Sequence, residues 1–421
     1  MFKSSGKKST ALVAASFLAL SSLTFGAPAQ ASTEVSFWAP TQLSGGKDPY
    51  ATVVAAFNAS QNKYTVKIES KGGAQIYGQA LNTAVQAKAL PDVFVVEPGV
   101  GQLQSVLPLA QAGLLLPLND TNAPKSNPVK DRQFMNLGPD TYAAAFAVEV
   151  TGVVVNTTAM RKDGVVWPRT FDRLLTECAA AVARGKSFFY LAGSQFGNNG
   201  LMAQNMLVST VYGKDQNWNR KRVAGTVKFA SDPRWVETLT KIKQMTDAGC
   251  FQKGAQAGNF PGIAQTLFAG RAYGAFVPGG TARDYRTQSG QTFDVYPMPM
   301  TNVTADQRFI YGVSYAASIN KDSKNIAGAK AFVNYFTSTV GQRVFTEVSG
   351  SLRTDGEFNA NRTAWFRPMA SLVQTKKGLP SPTRGWTDPA VYNRLGTGIQ
   401  GILTGQATVA QVLDNMDVAW K

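Results

Sequence analysis

Two carboxylates, Glu97 and Glu149, stand where their neighbours give them chemical leverage. Glu97 ends the apolar run Val93 to Val96 and precedes Pro98-Gly99, a turn that exposes its side chain. Glu149 lies within Phe146-Ala147-Val148-Glu149-Val150, where a charge among apolar neighbours is costly unless it meets a partner. Such a pair can accept hydroxyl donors, or serve as acid and base on a glycosidic bond if the separation suits. A structural ion pair is the competing reading for Glu149, and a solvated turn for Glu97. Trp38, Tyr311 and Trp386 add flat apolar faces with a polar handle. Trp386 falls in Arg384-Gly385-Trp386, just before Asp388-Pro389, a polar turn in which a core tryptophan is not expected. Arg353 and Arg384 could pair with a carboxylate or phosphate, although an exposed arginine is the default.

What is missing is as informative. The chain has no histidine, which removes Ser-His-Asp and Cys-His nucleophilic catalysis and the usual zinc sites. No acidic loop of the EF-hand kind is present, so neither a metal nor a cofactor is expected. Net charge is +16, falling to +13 if a leader carrying three lysines and no acid is removed. The positive residues are scattered, and their tightest cluster, Arg220-Lys221-Arg222, lacks the interleaved aromatics of a nucleic-acid channel. No nucleic-acid partner is expected. The two cysteines, Cys178 and Cys250, form an even count that favours a disulfide in an oxidising compartment, with two separate buried thiols as the alternative.

The elements that must position these groups alternate. Lys3, Lys7 and Lys8, the apolar Ala11 to Leu20 and the small-x-small Ala29-Gln30-Ala31 form an export leader, with cleavage expected after Ala31. The apolar run is too short to span a bilayer, and no cysteine lies near it to carry a lipid. About 390 residues then remain, enough for two domains. Glu34 to Trp38 reads as a strand, Pro49 to Asn58 as a helix, Tyr64 to Glu69 as a strand, Tyr77 to Leu90 as a helix and Pro91 to Glu97 as a buried strand. That alternation predicts an α/β fold.

Several segments, in order, resemble a known family. Val153 to Asn156 followed by Pro168 to Leu175, Pro91-Asp92-Val93, and Leu109 to Leu118 carry the likeness through the first half. Ala264 to Gly279, Phe293 to Met300, Ser318 to Phe336 and the closing Leu395 to Trp420 continue it. Together they resemble the extracellular solute-binding proteins of ABC importers, the group around maltose-binding protein. The resemblance implies a two-lobe periplasmic-binding-protein-like fold (type II), with a ligand cleft between lobes joined by a multi-segment hinge. It implies a leader at 1–31, a first lobe from 32–147 and 278–335, and a second lobe from 148–277 and 336–421. Crossing segments are expected near Phe146 to Val150, Phe276 to Gly280 and Tyr335 to Thr339.

The same resemblance distributes the site. It implies that Trp38 borders the cleft, and that Glu149 sits on a crossing segment whose glutamate bonds the ligand. It implies that the loop Gly193 to Gly200 supplies Phe196 and Asn198 from the second lobe, and that Gly279 and Tyr311 lie beside the ligand. Gly279-Gly280 lacks the tryptophan that many relatives carry there, which removes a stacking platform. Both cysteines fall to one lobe. The expected function is capture of a carbohydrate by an exported, non-enzymatic monomer that docks on ABC permease transmembrane subunits. An anionic solute (a sugar acid, sugar phosphate or phosphorylated polyol) and a secreted glycosidase are the alternatives.

Overall fold

The computed structural model describes residues 32–42, 46–356 and 363–420; the leader lies outside them. Apolar periodicity and capping explain the first elements. Asp48 accepts hydrogen bonds from the Tyr50 and Ala51 amides at 2.8 and 3.2 Å, and Pro49 opens the helix Pro49–Ser60. Tyr50, Val53, Val54 and Phe57 then form its buried face. The strand Val93–Val96 is buried throughout, as suits a central strand of a sheet packed on both faces.

Five strands form the first sheet, in the order Tyr64–Ser70, Thr33–Ala39, Val93–Val96, Ala316–Ile319, Ala144–Ala145. Thr33–Ala39 is parallel to both neighbours, whereas Ala316–Ile319 runs antiparallel to both of its own. The second sheet has the order Phe293–Tyr296, Val153–Asn156, Ala272–Ala275, Ser187–Tyr190. Between the two, Gly378–Leu379, Phe309–Gly312 and Glu149–Thr151 make a small connecting sheet. The architecture is two α/β lobes with a hinge between them.

Two of the expected boundaries differ. The strand Phe293–Tyr296 pairs with Val153–Asn156 and so joins the second sheet, although 278–335 was assigned to the first lobe. The helix Thr339–Ser349 packs on Pro49–Ser60 in the first lobe, although 336–421 was assigned to the second. The chain therefore crosses at Phe146 to Thr151, at Phe309 to Tyr315, and again where Leu352 exchanges backbone hydrogen bonds with Val148 at 2.8 and 3.0 Å. Phe276 to Gly280 instead leads into the second-lobe helix Thr281–Ser289, and Tyr335 to Thr339 joins two first-lobe helices. Apolar runs and glycine turns mark strands, but not the sheet that an edge strand joins.

The first crossing is anchored by aromatic packing. Phe146 stacks on Phe336 with centroids 4.1 Å apart, and meets Tyr50 and Phe345 edge-on. In the second lobe a disulfide joins Cys178 to Cys250, with Cα atoms 4.6 Å apart. The chain closes as a helical pair, Pro389–Thr404 and Val409–Ala419. Gly405 ends the first with φ +73° and a Thr408/Gln411 capping box starts the second.

Candidate functional site

Because Thr33–Ala39 and Val93–Val96 are parallel, their carboxyl ends deliver Trp38 and Glu97 to the same rim of the first lobe. A tight turn holds Glu97: its amide donates to the Gln104 carbonyl at 3.0 Å, and its carbonyl accepts from the Val106 amide at 2.9 Å. Gln104 Nε2 donates to Glu97 Oε1 at 2.6 Å. Burial pushes the Glu97 carboxyl up to about 7, against the opposing pull of Gln104 and the Arg384 charge.

Glu149 opens the connecting sheet, opposite Gly312. The residue as a whole is half-buried, yet its Oε2 is sealed from solvent and has no hydrogen-bond partner. Burial alone pushes this carboxyl up to about 8. The Tyr315 phenol, just before the strand Ala316–Ile319, feels both carboxylates, and burial with their charges raises it well above its ordinary range. Tyr50 is coupled to Glu149 and Tyr315 in the same way, and its buried hydroxyl also lacks a partner. The first lobe and the connecting sheet thus offer one acid raised above neutrality, Glu149, a second raised to about neutrality, Glu97, and two phenols, a set rich in both donors and acceptors.

The second lobe meets this set with Tyr392 and Phe196. The Tyr392 phenol is coupled to the Glu97 charge and donates to the Gly197 carbonyl at 2.8 Å. Phe196, half-buried at the start of the helix Phe196–Thr210, packs edge-on to the Tyr392 ring at 6.3 Å. The lobes also touch directly. Arg384, 7% exposed, reaches from the turn Pro382–Gly385 to a buried ion pair with Asp131, and donates to the Val313 carbonyl. Phe134 lies against its guanidinium at 5.6 Å, and the Val100 amide donates to the Arg384 carbonyl at 3.0 Å. A side chain on Gly99, whose φ is +94°, would overlap that carbonyl, so glycine is required there.

The remaining expected residues are spread out. Trp38 is half-buried with Lys71 over its ring at 4.0 Å. Asn198 is 1% exposed and already committed, accepting from the Ala192 amide at 2.9 Å and donating to the Phe276 carbonyl at 2.6 Å. Gly279 is packed so closely on the Val150 carbonyl that no side chain fits. Tyr311 is half-buried on the connecting sheet, edge-on to Phe309. Arg353 is paired with Asp355.

Trp386 corrects an expectation. It is not in an exposed polar turn but fully buried, its indole donating to the Tyr212 hydroxyl at 3.1 Å among Phe229, Trp235 and Tyr392. Arg384, expected to be exposed, is buried as well. Tyr50, Tyr315, Tyr392 and Gln104 were missed. Tyr315 carried a signal, a phenol at the mouth of a strand just past Gly312, but Tyr392 reads as an ordinary helix residue.

Among the described residues no group of three or more histidine, cysteine or acidic side chains could hold a metal, and no helix is long and apolar enough to cross a membrane. Two hinged lobes meeting over a polar, aromatic-edged cleft define a binding protein of the type II periplasmic kind. The bacterial extracellular solute-binding protein family model matches residues 42–343, and the chain belongs to that family, whose members are binding proteins and not enzymes. The multiple sugar-binding protein of Streptococcus mutans is 22% identical over 330 residues, 77% of this chain and 76% of that protein. A binding protein of Bacillus subtilis, solved in an open conformation, has a TM-score of 0.74 at 15% identity, over 93% of this chain and 97% of its own. A Bacillus licheniformis sugar transporter in complex with stachyose gives 0.73 at 18% identity, over 92% and 99%.

Proposed function

We propose that this protein captures a neutral carbohydrate between its lobes and delivers it to the transmembrane subunits of an ABC permease. It acts as an exported monomer, freed from its leader after Ala31. The observation that carries the reading is the sealed, unpartnered Oε2 of Glu149 in the cluster with Tyr50, Tyr315 and Glu97. A buried acceptor without a donor costs about 1–3 kcal/mol, and a sugar hydroxyl is a donor of the right size and charge to relieve it. The sugar names of the S. mutans and B. licheniformis relatives support the same chemistry. Half-buried Trp38, Phe196 and Tyr392 supply apolar edges for the faces of a ring.

The anionic reading loses its cations: Arg353 is held by Asp355 and Arg384 by Asp131, while two carboxyls face the cleft. The test is calorimetry with stachyose and a series of smaller neutral sugars, on the parent and on Glu149→Ala. Saturable binding of a neutral sugar, weakened at least about tenfold by the substitution, is expected. Binding of sugar phosphates or sugar acids alone would overturn it.

A further inference from the structure

A second hollow, of about 770 Å³, opens along the edge strand Phe293–Tyr296 of the second sheet. None of the cleft residues Glu97, Glu149, Tyr315, Arg384 or Tyr392 lines it. Its volume falls in the range of small-molecule sites. Four arginines line it, each from a different part of the second lobe and hinge. Arg161 comes from the helix Thr157–Lys162, Arg169 from the approach to the helix Phe171–Ala183, Arg286 from the helix Thr281–Ser289, and Arg367 from the short turn Ala364–Met369.

Asp294 is the single carboxylate in the lining, and it is already taken. It is paired with Arg286, and its other oxygen accepts from the Thr157 hydroxyl at 3.0 Å. Among the described residues no carboxylate pairs with Arg161, Arg169 or Arg367. Three exposed positive charges without a paired carboxylate around one concavity repel one another, and an anion between them reverses the sign of that term. Elsewhere among the described residues some arginines meet acids, as Arg234 meets Asp232 and Arg222 meets Asp417, and others, such as Arg271 and Arg343, do not; what sets these three apart is that they line one concavity.

The wall between the charges is aromatic. Trp167 and Tyr296 lie with ring centroids 5.0 Å apart and tilted by 30°, and the indole is fixed by donating to the Pro297 carbonyl at 3.1 Å. A fixed ring beside exposed guanidinium forks suits a ligand with a compact organic body and charged ends. Guanidinium pairs with phosphate or carboxylate through two parallel hydrogen bonds, which makes arginine the preferred residue for such ends.

We propose that this hollow is a second ligand site, taking a small molecule with phosphate or carboxylate groups on a ring-sized body, independently of the interlobe cleft. The test is calorimetry at low ionic strength, where exposed charge is least screened, with inorganic pyrophosphate, inorganic phosphate and phenyl phosphate as probes. One-to-one saturable binding of pyrophosphate is expected, weakened at least about tenfold in the double variant Arg161→Ala/Arg367→Ala. Lys253→Ala, at an exposed lysine outside the hollow, and Glu149→Ala in the cleft should leave it unchanged. Phenyl phosphate should bind more tightly than inorganic phosphate, because only it can use the Trp167–Tyr296 wall. Absence of saturable pyrophosphate binding, or an equal loss in Lys253→Ala, would sink the site. Equal affinity for the two monophosphates would remove the ring from the proposal.

Discussion

At the scale of single residues, the cleft depends on where protons sit. Glu149 is held up to about 8 by burial alone and Glu97 up to about 7 by burial against two opposing partners. In the unfolded chain both return to the ordinary carboxylate range, near about 4.3. The folded state therefore binds more protons than the unfolded state between those limits. The stability gained by keeping Glu149 neutral is complete below about pH 4 and is lost as pH rises through about 8. A glutamine in its place never ionises and keeps nearly the same shape. Glu149→Gln should leave the melting temperature near that of the parent at about pH 5, and raise it at about pH 8.5 by about 2–4 °C per kcal/mol relieved. A melting curve that moves equally at both pH values would mean that burial of this carboxyl costs nothing. If sugar hydroxyls donate to the ionised carboxylate, binding near neutrality also releases a proton. Calorimetry in two buffers of different ionisation enthalpy reads that release directly, and Glu149→Gln should abolish most of it.

At the scale of elements, what could be read from the chain was what is local. The helix Pro49–Ser60 announces itself by Asp48, Pro49 and a buried stripe, and the final pair of helices by Gly405 and Thr408. Alternation of strands and helices announces the α/β sheet, whose parallel pairing then brings Trp38 and Glu97 to one rim. Trp386 shows where this ends. Its neighbours are polar, but its partners Phe229 and Trp235 lie about 150 residues earlier, and nothing beside Trp386 in sequence declares them. Tyr392 and Arg384 were hidden for the same reason, since each becomes significant only when one lobe meets the other. Trp386→Ala therefore tests packing against recognition. Removing a fully buried indole from this aromatic cluster should cost about 3–5 kcal/mol of stability, read by denaturant unfolding. Sugar affinity of the folded protein should change little. A stacking platform would give the reverse, a large loss of affinity with unfolding unchanged.

At the scale of the whole molecule, the Arg384–Asp131 pair is a contact between the lobes that any opening must disturb. Its carbonyl and side chain bind Val100, Val313 and Asp131 on the first-lobe side, while the turn that carries it is tied to the second lobe through Ser381 to Gln204 and Asn219 to Pro382. Opening must break these bonds and return two buried charges to water, whereas closing must strip that water away. Net gain from such a pair is small, but deleting one partner strands the other, at about 3–5 kcal/mol. Arg384→Ala should therefore disfavour the closed arrangement and raise the ligand-free radius of gyration measured by solution scattering. Where only the closed state binds tightly, apparent affinity scales with the fraction closed. Every sugar should then weaken by one common factor, unlike Glu149→Ala, which should discriminate by hydroxyl pattern. Asp131→Ala should reproduce the effect, and the double variant should be less impaired than the sum of the two, because it leaves no stranded charge. Sugar-dependent losses on Arg384→Ala, with scattering unchanged, would make the arginine a ligand contact and not a clasp.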